Sequence, residues 1–190
     1  QHTVIPERLV GFGRRQRSLS RDVIVAIDQS GSMADSVVYA SVFGAVLASM
    51  PALRTHVVAF DTAVADLTPL LHDPVDVAVG YCQQLITRPA DTVLVLVSDL
   101  FEGGNASLLH QRIAALHQAG VCVVVLLALS DEGAPTYDHT QAAAFAALGV
   151  PSFACTPDAF PDLLAAALEG RDVGRWANEH GLHTAVAPAV

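Results

Sequence analysis

The sequence predicts an α/β fold with a doubly wound, mostly parallel central sheet flanked by helices, and one short antiparallel edge strand. Three observations carry that expectation. The runs Val23–Ile27, Thr92–Val97 and Val121–Leu129 are continuously apolar and rich in β-branched residues, as strands buried on both faces are. Between such runs lie stretches whose apolar residues repeat at helical spacing. Each long apolar run also closes on polar residues, so chemistry is expected beyond the carboxyl ends of the strands, where open α/β sheets bind ligands.

Taken in order, Val23-Ile24-Val25-Ala26-Ile27 is the first strand, ending at Asp28. A helix is expected from Asp35, a suitable N-cap, because Tyr39, Phe43, Val46, Leu47 and Met50 share a face until Pro51 stops it. Thr55–Phe60 is the next strand, and Ala63–Leu67 returns beside it after a turn of about two residues. Ala78, Cys82 and Leu85 mark a helix that ends by Pro89, and Thr92–Val97 is a buried strand closing on Ser98-Asp99. Leu109, Ile113 and Leu116 form a helical stripe, with Gly120 suited to the left-handed position after it. Val121–Leu129 is a strand, residues 140–148 a helix ended by Gly149, and Ser152–Cys155 a strand. Phe160, Leu163, Leu164, Ala167 and Leu168 give the last helix, stopped at Gly170. The chain therefore divides into a basic N-terminal arm (1–21), one domain (22–170) and a C-terminal tail (171–190) without a strong pattern, expected to lie on the surface.

Composition narrows the functions. With 52% hydrophobic and 15% charged residues, the 190-residue chain has ample core for one domain and is not disordered. No apolar stretch reaches the roughly 18 residues that a membrane-spanning helix needs. A start at Gln1 without a signal-peptide pattern reads as a piece of a longer, cytoplasmic protein. Cys82, Cys122 and Cys155 are odd in number and lack metal-type spacing, so they read as buried thiols in a reducing compartment. Net charge is −9, and all ten basic residues are arginines, five of them (Arg8, Arg14, Arg15, Arg17, Arg21) in the arm. The acidic remainder repels nucleic acid.

Two strand ends concentrate the chemistry. Asp28-Gln29-Ser30-Gly31-Ser32 follows the first strand, and Ser98-Asp99 follows the strand expected to neighbour it. Gly31 lets the chain turn tightly enough to bring both hydroxyls back towards Asp28. Hydroxyl and carboxylate oxygens are hard ligands, suited to Mg²⁺, Mn²⁺ or Ca²⁺ rather than zinc. Two carboxylates at one mouth repel unless a cation lies between them or one keeps a proton.

The Asp-x-Ser-x-Ser run with a later Ser-Asp resembles the metal-ion-dependent adhesion site of von Willebrand factor A (VWA) and integrin I-type domains, over residues 22 to 170. The stretches Arg15–Met33 and Ser98-Asp99-Leu100-Phe101-Glu102-Gly103-Gly104 are similar to bacterial CoxE-like VWA proteins, which commonly work with a MoxR-type AAA+ ATPase. The resemblance implies that Ser30 and Ser32 ligate the cation directly. It gives Asp28 and Asp99 a direct or water-mediated role, and leaves an open position for an Asp or Glu of a partner protein. One part of the pattern is missing. Relatives present a threonine, often in a Gly-Gly-Thr-Asp run, where this chain passes through Asp73-Pro74-Val75-Asp76-Val77 into a helix. Either the site is degenerate or a mobile loop interrupts the chain near 76–79; the helix's abrupt start favours the loop.

Plainer readings stand beside these. Asp28-x-Ser-x-Ser alone could be a helix-capping cluster, although Asp99 at a second strand end weighs against it. Asp131, Glu132 and Asp138 read as a solvated loop, Asp61 and Thr62 as a turn, and His180 and His183 near Glu179 as a surface cluster. Gly11-Phe12-Gly13 is too short for a nucleotide loop. The leading function is a non-enzymatic, metal-dependent protein-binding module. A metal-dependent phosphohydrolase is disfavoured because the chain contains no lysine and Ser30 stands where an Asp-x-Asp enzyme has its second aspartate. A structural domain with a decayed metal site is the third reading, kept open by the missing threonine.

Overall fold

The computed structural model describes residues 21–30, 33, 54–60, 64–66, 75–101, 105–129, 136–156 and 158–182. The strands are β1 (Asp22–Asp28), β2 (Arg54–Phe60), β3 (Val64–Asp66), β4 (Thr92–Ser98), β5 (Cys122–Leu127) and β6 (Ser152–Ala154). The helices are α1 (Val75–Leu85), α2 (Ala106–Gln118), α3 (His139–Ala147), α4 (Phe160–Leu168) and α5 (Val173–Glu179), with a 3-10 turn at Pro89–Asp91. The helix expected from Asp35 to Pro51 lies outside the described residues, as does the arm up to residue 20.

The strands form one sheet in the order β3-β2-β1-β4-β5-β6. All neighbours are parallel except β2 and β3, the short antiparallel edge. Alternating side chains sort to two faces. Val23, Val25, Ile27, Val93, Val95, Val97, Val124 and Leu126 pack with Phe160, Leu163 and Leu164 of α4 and Trp176 of α5. Ile24, Ala26, Leu94, Leu96, Val123, Val125 and Leu127 pack with α1, α2 and α3 through Val79, Ile113 and Phe145. Both faces are thus covered, and the continuous apolar runs are the sequence mark of that double burial.

Local chemistry sets the helix bounds. Asn105 caps α2 by accepting from the Leu108 N–H at 3.0 Å, and Asp138 caps α3 through the N–H groups of Thr140 and Gln141. Gly120 (φ 93°) follows α2, where the Val121 N–H donates to the Leu116 carbonyl and closes the helix.

Two expectations need correction. Helix α1 runs unbroken through Asp76–Val79, with Val75, Asp76, Ala78 and Val79 all buried, so no loop interrupts the chain there. The apolar face of Val75, Ala78, Val79 and Cys82 starts at the first helical residue, so packing sets in without a lead-in. Residues 171–182 are not a surface tail either, while 183–190 lie outside the described residues. Asp172 caps α5 by accepting from the Arg175 N–H at 2.9 Å, and Val173, Trp176 and Ala177 enter the core. Seven residues carry too short an apolar pattern to stand out in sequence.

Candidate metal centre

β1 and β4 are neighbours whose register pairs Ile27 with Val97. The next residues, Asp28 and Ser98, therefore end their strands side by side. This is also where the strand order reverses: from β1 the chain passes to β2 and β3 on one side, then returns to β4 on the other. Such a switch point opens a crevice at the carboxyl ends of the strands.

Asp28 is fully buried there. Its Oδ1 accepts from the Ser30 N–H at 2.9 Å, and its Oδ2 accepts from the Ser98 hydroxyl at 2.6 Å. The Ser30 hydroxyl also bonds this carboxylate. Burial pushes the Asp28 carboxyl up from its usual range; the bonds from Ser98 and Ser30 pull it down, and the Asp99 carboxylate adds to the rise. The Asp28–Ser30 turn is fixed at its flanks, since Gln29 N–H donates to the Phe60 carbonyl and Met33 N–H to that of Ser30.

The second loop is pinned just as closely. Ser98 Oγ accepts from the Leu100 N–H at 2.9 Å, and Asp99 Oδ1 accepts from the Phe101 N–H at 3.0 Å. The Asp138 N–H donates to the Asp99 carbonyl at 2.8 Å. Between them Leu100 adopts φ 61°, a left-handed conformation that costs a non-glycine residue about 1–2 kcal/mol. Strain of this kind is held by its surroundings and collects at functional sites. Asp99 is buried and its Oδ2 has no hydrogen-bond partner among the described residues. A buried carboxylate oxygen left in that state is costly, and a cation is one group that satisfies it.

The structure thus brings together Asp28, Ser30 and Asp99 of the expected ligands, while Ser32 lies outside the described residues. Among the described residues, no three of His, Cys, Asp and Glu stand close enough to hold an ion by themselves. A cation here therefore depends on hydroxyls and water as well as on carboxylates, which is the donor set of a hard ion. Sequence reasoning quoted Ser98 without giving it a task. Its position one residue past the apolar run, level with Asp28, was the available signal. It missed Asp76, buried at the start of α1 with Oδ1 lacking a partner among the described residues.

The plainer side chains resolve differently. Asp138 is the cap of α3 rather than a solvated loop residue. The His180 ring stacks on Trp176, with centroids 4.1 Å apart. Asp61, Thr62, Asp131, Glu132 and His183 lie outside the described residues. A roomier cleft of about 370 Å³ opens at the amino ends of β5 and β6, beside Cys122, Ser152 and Arg171. Asp172, the one carboxylate among the described residues that line it, is already the cap of α5.

The family model of the VWA domain containing CoxE-like protein matches residues 1–78 and 75–164. The chain belongs to this CoxE-like VWA family. The two matched segments overlap at 75–78, where α1 begins. A relative in Escherichia coli (strain K12), the uncharacterized protein YehP, is 39% identical over 169 residues, covering 82% of this chain and 45% of that protein. The chain thus spans less than half the length of this relative. The crystal structure of an aerotolerance-related membrane protein from Bacteroides fragilis NCTC 9343, with multiple mutations to serines, shares the fold. It matches at a TM-score of 0.59 and 12% identity, covering 80% of this chain and all of that one. In the CoxE-like chain itself, no helix among the described residues is long and apolar enough to cross a membrane.

Proposed function

We propose that this VWA domain is a metal-dependent protein-binding module that carries out no reaction of its own. A divalent cation, Mg²⁺ first and Mn²⁺ or Ca²⁺ as alternatives, sits at the mouth of β1 and β4. Ser30 and Ser32 hold it, with Asp28 and Asp99 direct or through water. The observation that carries the reading is the pair of buried aspartates at one switch point, one braced by two serines and the other with an Oδ2 that has no partner among the described residues. Buried charge of one sign calls for a counter-ion. An ion held largely by neutral hydroxyls keeps its affinity for a further anionic ligand, and a partner's Asp or Glu supplies it. Neither strand-end motif contains a lysine, arginine or histidine to act on a transition state. By family analogy the partner is a MoxR-type AAA+ ATPase or its client, and the complex works in the cytoplasm.

One observation favours a second reading. With α1 starting directly at Val75, the third loop of the family pattern has no threonine, as expected of a fold kept after its metal site has decayed. Calorimetric titration with Mg²⁺ and Mn²⁺, beside a phosphatase assay, separates the readings. Saturable binding of one ion, lost on Ser30→Ala with Ser32→Ala and without phosphate release, supports the module. No binding by the wild type leaves the structural domain, and cation-dependent phosphate release makes the protein a hydrolase.

A further inference from the structure

Within the cation-binding reading, on which this inference rests, Asp76 is the unexplained group. It belongs to the first turn of α1, where the two family-model matches overlap. It is 6% exposed, and its Oδ1 has no hydrogen-bond partner among the described residues. A carboxylate placed in a helix's first turn gains from the helix dipole, but that gain does not need burial. Surface would serve a capping aspartate equally well. Asp76 instead lines a narrow cleft of about 10 Å³, room for roughly one water, with Leu100, Asn105 and Gln141. Leu100 is the strained residue directly after Asp99, whose Oδ2 is likewise buried without a hydrogen-bond partner among the described residues. Asp76 thus lines a cleft with the residue that follows Asp99.

We propose that Asp76 replaces the missing threonine loop, holding a water bound to the cation and so strengthening cation binding without touching the ion. Direct ligation is set aside because no three carboxylates group around one point among the described residues. A carboxylate acting through a bound water fixes that water's orientation and adds negative charge near the ion.

The test is Mn²⁺ titration, by calorimetry and by electron paramagnetic resonance, of the full chain carrying Asp76→Asn or Asp76→Ala. Loss of an outer-sphere partner commonly weakens metal binding by about 10–100-fold. Both variants are expected to bind Mn²⁺ at least about tenfold more weakly than wild type, with unchanged circular dichroism. In chelator they should melt no lower than wild type, because a buried oxygen without a hydrogen-bond partner among the described residues has been removed. A Mn²⁺ affinity within twofold of wild type in either folded variant overturns the role of Asp76 and leaves the cation site standing. Wild-type protein that binds no Mn²⁺ overturns both. If Asp76→Asn does not fold, Asp76→Ala alone decides; failure of both in chelator shows that Asp76 is structural and overturns the proposal.

Discussion

Replacing Ser98 by alanine removes one hydroxyl and breaks two interactions at the bottom of the site. The hydroxyl donates to Asp28 Oδ2 at 2.6 Å and accepts from the Leu100 N–H at 2.9 Å, and Ser98 itself is fully buried. A hydrogen bond to a charged group contributes about 1.5–3 kcal/mol, and a neutral one about 0.5–1.5 kcal/mol. Ser98→Ala is therefore expected to lose about 2–4 kcal/mol in chelator at pH 7, a large share of a stability that is typically about 5–15 kcal/mol. Urea denaturation followed by circular dichroism measures the loss. The argument assigns the larger part to Asp28, so a cycle with Asp28→Asn should show coupling of at least about 1 kcal/mol. A loss below about 0.5 kcal/mol, or strict additivity with Asp28→Asn, would refute the reasoning: Asp28 would then not depend on this hydroxyl.

Three further outcomes follow from the same structure. Because burial raises the Asp28 carboxyl, the metal-free folded state keeps that proton to higher pH than the unfolded chain does. Its contribution is complete below the ordinary carboxylate range and is lost as pH rises through the raised value. Asp28→Asn should flatten this fall, visible as a wild-type minus variant difference in urea midpoints across pH 4–7. Burial pushes the thiols of Cys82 and Cys155 up to about 12, so neither should react with Ellman's reagent at pH 8 until the chain is unfolded. Trp176 is almost fully buried in α5, and Trp176→Ala should cost about 3–5 kcal/mol in urea unfolding. A loss under about 1 kcal/mol would mean that α5 is not docked.

The sheet was readable because its code is redundant. Val93–Val97 and Val123–Leu127 are apolar at every position, which only double burial explains, and Gly120 and Gly149 both mark helix ends with positive φ. The metal centre was half readable. Asp28 and Asp99 announced themselves as polar residues at the ends of apolar runs, but only the β1–β4 register shows that Ser98 meets Asp28. Asp28 also proved more embedded than a loop-facing carboxylate, being the last residue of a central strand. Asp76 was hidden for a different reason. Acidic residues are ordinary in first helical turns, so nothing in the letters distinguishes one that is buried without a partner. Helix α5 escaped because its core contact rests on three residues, too few to show a period.

The central claim is that oxygens from the ends of β1 and β4 converge on one divalent cation. An anomalous difference map from crystals grown with Mn²⁺, measured near the manganese absorption edge, tests it most directly. The account predicts one strong peak at the mouth between the two strands, in contact with Ser30 Oγ and near the carboxylates of Asp28 and Asp99, and absent from Asp99→Ala crystals. A map with no peak there, or with its strongest peak at the opposite end of the sheet beside Cys122 and Arg171, would contradict it.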